Sequence, residues 1–197
     1  MNFLAHIYLS GNNDNIKFGN FIGDWVKGKS YNNFPQEIQK GILLHRKIDS
    51  YTDSHAAVKK SILRIRPAYR KYSGVVTDIL YDHFLALNWQ TYSESSLKDY
   101  VNEFSNIVFK NFDTIPQSAK IFVSPFIRRK RLVCYSDINC FAKVLRKMAV
   151  YTSMPNKVKE VMKIINENYE DFHSDFTTFF PEIIDYTKRE LLNQSMP

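Results

Sequence analysis

The chain of 197 residues is 44% hydrophobic and 24% charged, with 15 Phe and 12 Tyr against only 6 Gly and 7 Pro. That is the composition of a globular protein large enough to bury a core, and the scarcity of turn formers favours helices over a many-stranded sandwich. The formal charge is +7; no apolar stretch approaches a membrane span, the opening residues lack a positive signal-peptide region, and Cys134 and Cys140 lack a Cys-x-x-Cys companion. The two cysteines thus make neither a zinc site nor a disulfide framework, and these features lead to the expectation of a soluble protein of the reducing cytoplasm.

Residues 2–10 read as a short apolar helix carrying His6, ended by Ser10-Gly11-Asn12-Asn13. A second helix spans 16–28, where Gly19, Gly23 and Gly28 weaken it and let backbones approach closely. Pro35 and Glu37 suit the first turn of the next, which runs through Ile38, Ile42, Leu43 and Ile48 and carries His45 and Asp49. Residues 55–66 form another helix, stopped before Pro67. Segment 74–91 is apolar at helical spacing, so its buried face borders Asp78, Asp82 and His83. Later helices are predicted at 95–110, 137–150 and 156–176, with Pro181 breaking the last and starting a terminal helix through Leu192. Only 119–134 reads as strand-like or irregular. The fold expected is an all-α helical bundle, one domain over residues 1–197.

The chemistry lies in the first 83 residues. His45 and Asp49 are four apart, as are Asp78 and Asp82, with His83 following directly. On a helix such residues share a face. Two aspartates so placed repel unless one is protonated or a cation sits between them. His6 fits either a hydrogen-bonded core histidine or a ligand, and Asp24 fits either a ligand or a helix cap. If these segments converge, the nitrogen and oxygen donors suit Mn²⁺, Mg²⁺ or Fe²⁺, or Zn²⁺ at a catalytic site. Arg46 is a candidate clamp for phosphate oxygens. There is no P-loop, dinucleotide fingerprint or nucleophile elbow, so metal-assisted phosphoester hydrolysis is the reaction class that fits.

Asn2-Phe-Leu-Ala-His6, Gly19-Asn-Phe-Ile-Gly-Asp24, Gly41-Ile-Leu-Leu-His45-Arg46-Lys-Ile-Asp49 with Thr52-Asp53, and Asp78-Ile-Leu-Tyr-Asp82-His83-Phe84 resemble the acyl carrier protein phosphodiesterases in order and spacing. The resemblance is specific over residues 1–90 and diffuse beyond. It implies an all-helical fold related to the HD-type metal phosphohydrolases, and a preference for Mn²⁺. It also implies hydrolysis of the phosphodiester joining 4′-phosphopantetheine to a serine of holo-acyl carrier protein, with carrier-protein recycling as the cellular setting. Asp24 matches the aspartate expected to be essential; His6, His45, Asp49, Asp78, Asp82 and His83 match the other polar positions. No histidine here directly precedes an aspartate, so the resemblance does not say which of the seven touch metal. Asp24, His6 and His45 are the candidate catalytic groups.

Residues 120–147 hold Lys120, Arg128, Arg129, Lys130, Arg131, Lys143, Arg146 and Lys147 against Asp137 alone, a local excess equal to the whole net charge. Arg128, Arg129, Lys130 and Arg131 are the candidate docking residues for an acidic carrier protein. Two alternatives stand beside this reading. One keeps the metal site but takes a nucleotide or other small phosphoester. The other is a non-catalytic helical protein that uses the basic patch on an acidic protein or RNA; the clustered aspartates argue against that one, and neither nucleic acid nor a membrane is expected as a partner.

Overall fold

A computed structural model describes residues 1–193, in which eleven α-helices and five short 3₁₀ turns make up all the regular structure. The all-α expectation holds. Helices α1 (Phe3–Tyr8), α2 (Asp14–Ile22), α3 (Gln36–Ser54), α4 (Ala56–Tyr69) and α5 (Ser73–Leu87) form the half that bears the polar motifs. Helices α6 (Trp89–Tyr92), α7 (Leu97–Lys110), α8 (Gln117–Arg128), α9 (Ile138–Tyr151), α10 (Val158–Glu167) and α11 (Tyr169–Asn193) complete it. No helix among the described residues is long and apolar enough to cross a membrane.

One continuous cluster of buried apolar side chains runs through the helices. The aromatic surplus is mostly here: Phe18, Phe21, Phe84, Phe104, Phe172, Phe176, Phe179 and Phe180 are all fully buried or nearly so. Each such ring stabilises the fold by roughly 1.5–3 kcal/mol through lost apolar exposure. On α11 the buried residues Phe172, Phe176, Phe179, Phe180 and Ile183 recur at three- and four-residue spacing, the stripe a helix needs to lie along a core. Ser61 of α4 reinforces this seam by donating to Asp175 of α11 at 2.9 Å, and Arg64 pairs with the same carboxylate.

Two features place the site. At the crossing of α2 and α3, a Cβ on Gly19 would come within 2.2 Å of the Ile38 carbonyl, and one on Gly41 within 2.2 Å of the Ile16 carbonyl. Only hydrogen at both positions lets the two backbones touch. The second is a cap at long range. Asn2, at the start of α1, makes no side-chain cap; instead the carboxylate of Asp82 on α5 accepts from the amides of Leu4 at 2.8 Å and Ala5 at 3.0 Å. A negative group at a helix N-terminus satisfies its free amides and complements its dipole. That contact locks α1, and hence His6, against α5.

Several predicted boundaries are corrected. Helix α4 passes through Pro67, and α11 runs unbroken through Pro181. Segment 119–134 is neither strand nor irregular: α8 fills most of it, with Pro125 inside, followed by a 3₁₀ turn over Arg131–Ser136. The cause is common to all three prolines. Pro67, Pro125 and Pro181 are exposed, and so are the residues four before them, Leu63, Ile121 and Thr177. The carbonyl that loses its partner is on the solvent side, where water can take its place. The predicted helix over 156–176 divides at Asn168, whose side-chain amide donates to the Ile164 carbonyl at 2.9 Å. The two cysteines are also corrected: the 3₁₀ turn and the first turn of α9 bring their Cα atoms to 5.8 Å, and they are joined as a disulfide.

Candidate active site

His45 and Asp49 occupy one face of α3, as their spacing requires, with His45 Nε2 3.2 Å from Asp49 Oδ2. Helix α1 brings His6 in from the other side: its Nε2 lies 3.1 Å from Asp49 Oδ1, and its ring stacks on that of His45 with centroids 4.1 Å apart. Asp24 reaches the same point from a 3₁₀ turn that follows α2 directly, its Oδ1 3.5 Å from His45 Nε2. A Cβ on Gly23 would fall 2.4 Å from His45 Cγ, so the bare glycine is what lets that turn close over the imidazole. Both histidines are buried, whereas the side chains of Asp24 and Asp49 are 58% and 42% exposed. The site is a floor of two imidazoles with a carboxylate rim open to the surface.

The surroundings sort the charges. Burial and the neighbouring His45 lower the His6 pKa to about 4, so this ring is neutral. Burial also opposes a charge on His45, but its bonds to Asp24 and Asp49 prevail and raise it to about 9. The hydrogen bond from His45 holds Asp24 below its usual range. Partial burial pushes Asp49 upward, but the hydrogen bond from His45 prevails and holds it far below that range. The Met1 amine, also buried, lies 3.2 Å from Asp78 Oδ1 and 3.6 Å from Asp49 Oδ1.

Among the described residues, His6, His45 and Asp49 form the one group of three whose ligand atoms all lie within 4.8 Å of one another. Two imidazole nitrogens and a carboxylate, with a second carboxylate beside them, are a donor set that fits a divalent cation of the Mn²⁺, Fe²⁺ or Mg²⁺ kind. Of the seven expected ligands, His6, Asp24, His45 and Asp49 come together, and Asp78 borders them through the Met1 amine. The other two stand apart from that group, Asp82 at a helix cap and His83 with its Nδ1 bonded elsewhere and its buried Nε2 without a hydrogen-bond partner. Asp82 spends both oxygens on the cap of α1, and burial pushes its pKa up to about 7. His83 points its Nδ1 at the Tyr135 carbonyl, 2.7 Å away, and burial lowers its pKa. The repulsion expected between Asp78 and Asp82 is thus relieved by different partners for each.

Arg46 donates to the carbonyls of Val26 at 3.0 Å and Gly28 at 2.7 Å. It fastens the chain just after Asp24 through its Nη2. Residues Arg128 to Arg131 lie at the end of α8 and the start of the following 3₁₀ turn. Helix α8 flanks the Asp24 turn directly, since Phe122 packs on Trp25 and Phe126 on Phe3, with ring centroids 5.6 and 5.1 Å apart. Desolvation, followed by the charges of Arg131 and Arg129, lowers the pKa of Lys147 on α9, which sets these three cations near one another.

Sequence reasoning missed Asn20. This fully buried residue touches both histidines: Oδ1 lies 2.8 Å from His6 Nδ1, and its main-chain carbonyl 2.9 Å from His45 Nδ1. The available signal was a polar residue between Gly19 and Phe21 on a helix face otherwise destined for the core.

The sequence profile described as acyl carrier protein phosphodiesterase matches residues 1–183. Similar curated proteins carry the same name. That of Pectobacterium atrosepticum is 29% identical over 196 residues, covering 98% of this chain and 100% of its own. That of Yersinia pestis is 29% identical over 185 residues, 93% and 96% of the two chains. That of Photorhabdus laumondii is 28% identical over 186 residues, 94% of each. No solved structure matches.

Proposed function

Because this chain belongs to the acyl carrier protein phosphodiesterase family, we propose that it hydrolyses the phosphodiester between 4′-phosphopantetheine and a serine of holo-acyl carrier protein. The products are then apo-carrier protein and free 4′-phosphopantetheine, and the setting is the cytoplasm. The observation that carries the reading is the convergence of His6, His45 and Asp49 beneath the exposed Asp24.

In this proposal the trio holds a divalent cation, Mn²⁺ ahead of Mg²⁺ or Fe²⁺. Such an ion, when bound, supplies Lewis acidity and neutralises charge on a phosphoryl group. Asp24, ionised and at the rim, takes a proton from water beside the phosphorus and hands it to the departing serine oxygen. His6 and His45 serve by aiming their Nε2 atoms, and Arg46 by keeping the Asp24 turn closed. Kinship with HD-type phosphohydrolases belongs to the same proposal, although the donors come from three separated positions rather than a His-Asp doublet. The open carboxylate rim suits a phosphodiester carried on another protein's surface. The basic residues Arg128, Arg129, Lys130 and Arg131 on the adjacent flank give an acidic carrier protein its approach.

The metal requirement is tested by stripping the enzyme with EDTA and adding back Mn²⁺. Release of 4′-phosphopantetheine should stop and then return. Full turnover by enzyme shown to contain no metal would refute the cation.

A further inference from the structure

We infer that Asn20 is a positioning residue that fixes the Nδ1–H tautomer of both histidines and so points both Nε2 atoms at the cation position beside Asp49. The inference rests on the divalent-cation reading of this site.

The orientation of the Asn20 amide is settled by its neighbours. Its Nδ2 donates to the His6 carbonyl at 2.9 Å and to Ser10 Oγ at 2.8 Å. Ser10 sends its own proton to the same His6 carbonyl at 2.8 Å, leaving its oxygen free to accept. A flipped amide would set Oδ1 against a carbonyl oxygen in a fully buried place, a costly arrangement. Oδ1 therefore faces His6 Nδ1 at 2.8 Å. An amide oxygen only accepts, so His6 Nδ1 carries the hydrogen.

The main-chain carbonyl of the same residue makes the matching demand on His45 Nδ1 at 2.9 Å. Neutral His6 has one N–H and so presents a lone pair at Nε2, whereas His45, charged by its two carboxylate partners, would present its Nε2 to a cation on losing the hydrogen there and keeping the one at Nδ1. For His6 that lone pair meets Asp49 Oδ1 at 3.1 Å. Two acceptors facing each other repel, and a cation ligated by both removes the conflict. Groups that hold a ligating imidazole in this way commonly affect metal affinity by roughly 10–100-fold. Here one residue serves two ligands, one through its side chain and one through its backbone.

That division provides the test. In ¹⁵N-histidine-labelled, metal-free protein, ¹⁵N chemical shifts should show a protonated Nδ1 on both His6 and His45. Asn20→Ala removes only the side-chain acceptor. His6 should then move its hydrogen to Nε2, toward Asp49, while His45 keeps its hydrogen at Nδ1. Calorimetric Mn²⁺ affinity should fall at least about tenfold. An unprotonated His6 Nδ1 in the unmutated protein overturns the inference, as does Asn20→Ala with unchanged tautomer and unchanged Mn²⁺ affinity. If Asn20→Ala does not fold, the spectrum of the unmutated protein decides. Failure of the unmutated protein to bind Mn²⁺ would refute the cation reading separately, because the tautomers are read without metal.

Discussion

Asp49 and Asp82 are acidic residues on long helices, and the fold gives them different work. Asp49 faces two imidazoles at a partly open rim, whereas Asp82 is buried and caps another helix. Asp49→Ala should lower turnover by more than the roughly hundredfold that groups supporting a ligand command, and should also lower the unfolding temperature at neutral pH, because His45 loses one of the two carboxylates that hold it charged. Asp82→Ala should cost about 2 kcal/mol of stability, from the lost cap and two stranded amides. Thermal unfolding and kcat, measured on both variants, separate the two roles. The pH dependence follows from His45. Its pKa is raised from 6.5 to about 9 in the folded protein, so its stabilisation is complete below pH 6.5 and is lost as pH climbs through about 9. The raised pKa of the Met1 amine acts in the same direction. Urea unfolding of metal-free protein should show a loss on the order of 3 kcal/mol between pH 6.5 and 9. A flat profile would mean that His45 is not held charged by Asp24 and Asp49.

At the scale of the elements, the site exists because helices come unusually close. Gly23→Ala inserts a methyl where the His45 ring lies 2.4 Å away. The ring must move, so activity should fall sharply while stability falls by only about 1–3 kcal/mol, the usual cost of overpacking. Activity retained at the parental level would show that the Asp24 turn does not depend on this contact. The pairing of His45 with Asp49 was readable in the sequence because both lie on one helix, where spacing dictates proximity. The same spacing could not reveal that Asp82 faces the start of α1, since a helical period names a shared face but not the neighbour across it. Asn20 escaped for a related reason: its value lies in two contacts at 14 and 25 residues' separation. The prolines were misjudged because the cost of a helical proline depends on where its orphaned carbonyl points. That direction is set by packing.

For the whole molecule, an all-helical fold followed from composition and apolar period, and α11 buries its aromatic stripe as such a period requires. The basic excess was equally visible, but only the packing of α8 against Phe3 and Trp25 shows that the helix leading into Arg128–Arg131 flanks the Asp24 turn. Reversing the charge of Arg128, Arg129, Lys130 and Arg131 should raise KM for holo-acyl carrier protein, leave kcat near its parental value and flatten the salt dependence. Unchanged kinetics from low to high salt would remove that surface from substrate capture. The most direct measurement of the central claim is the intact mass of holo-acyl carrier protein after incubation with this enzyme and Mn²⁺, beside an Asp49→Ala control. The account predicts loss of the 4′-phosphopantetheine mass with the parental enzyme alone. An unchanged mass in the presence of metal-loaded, folded enzyme would contradict it.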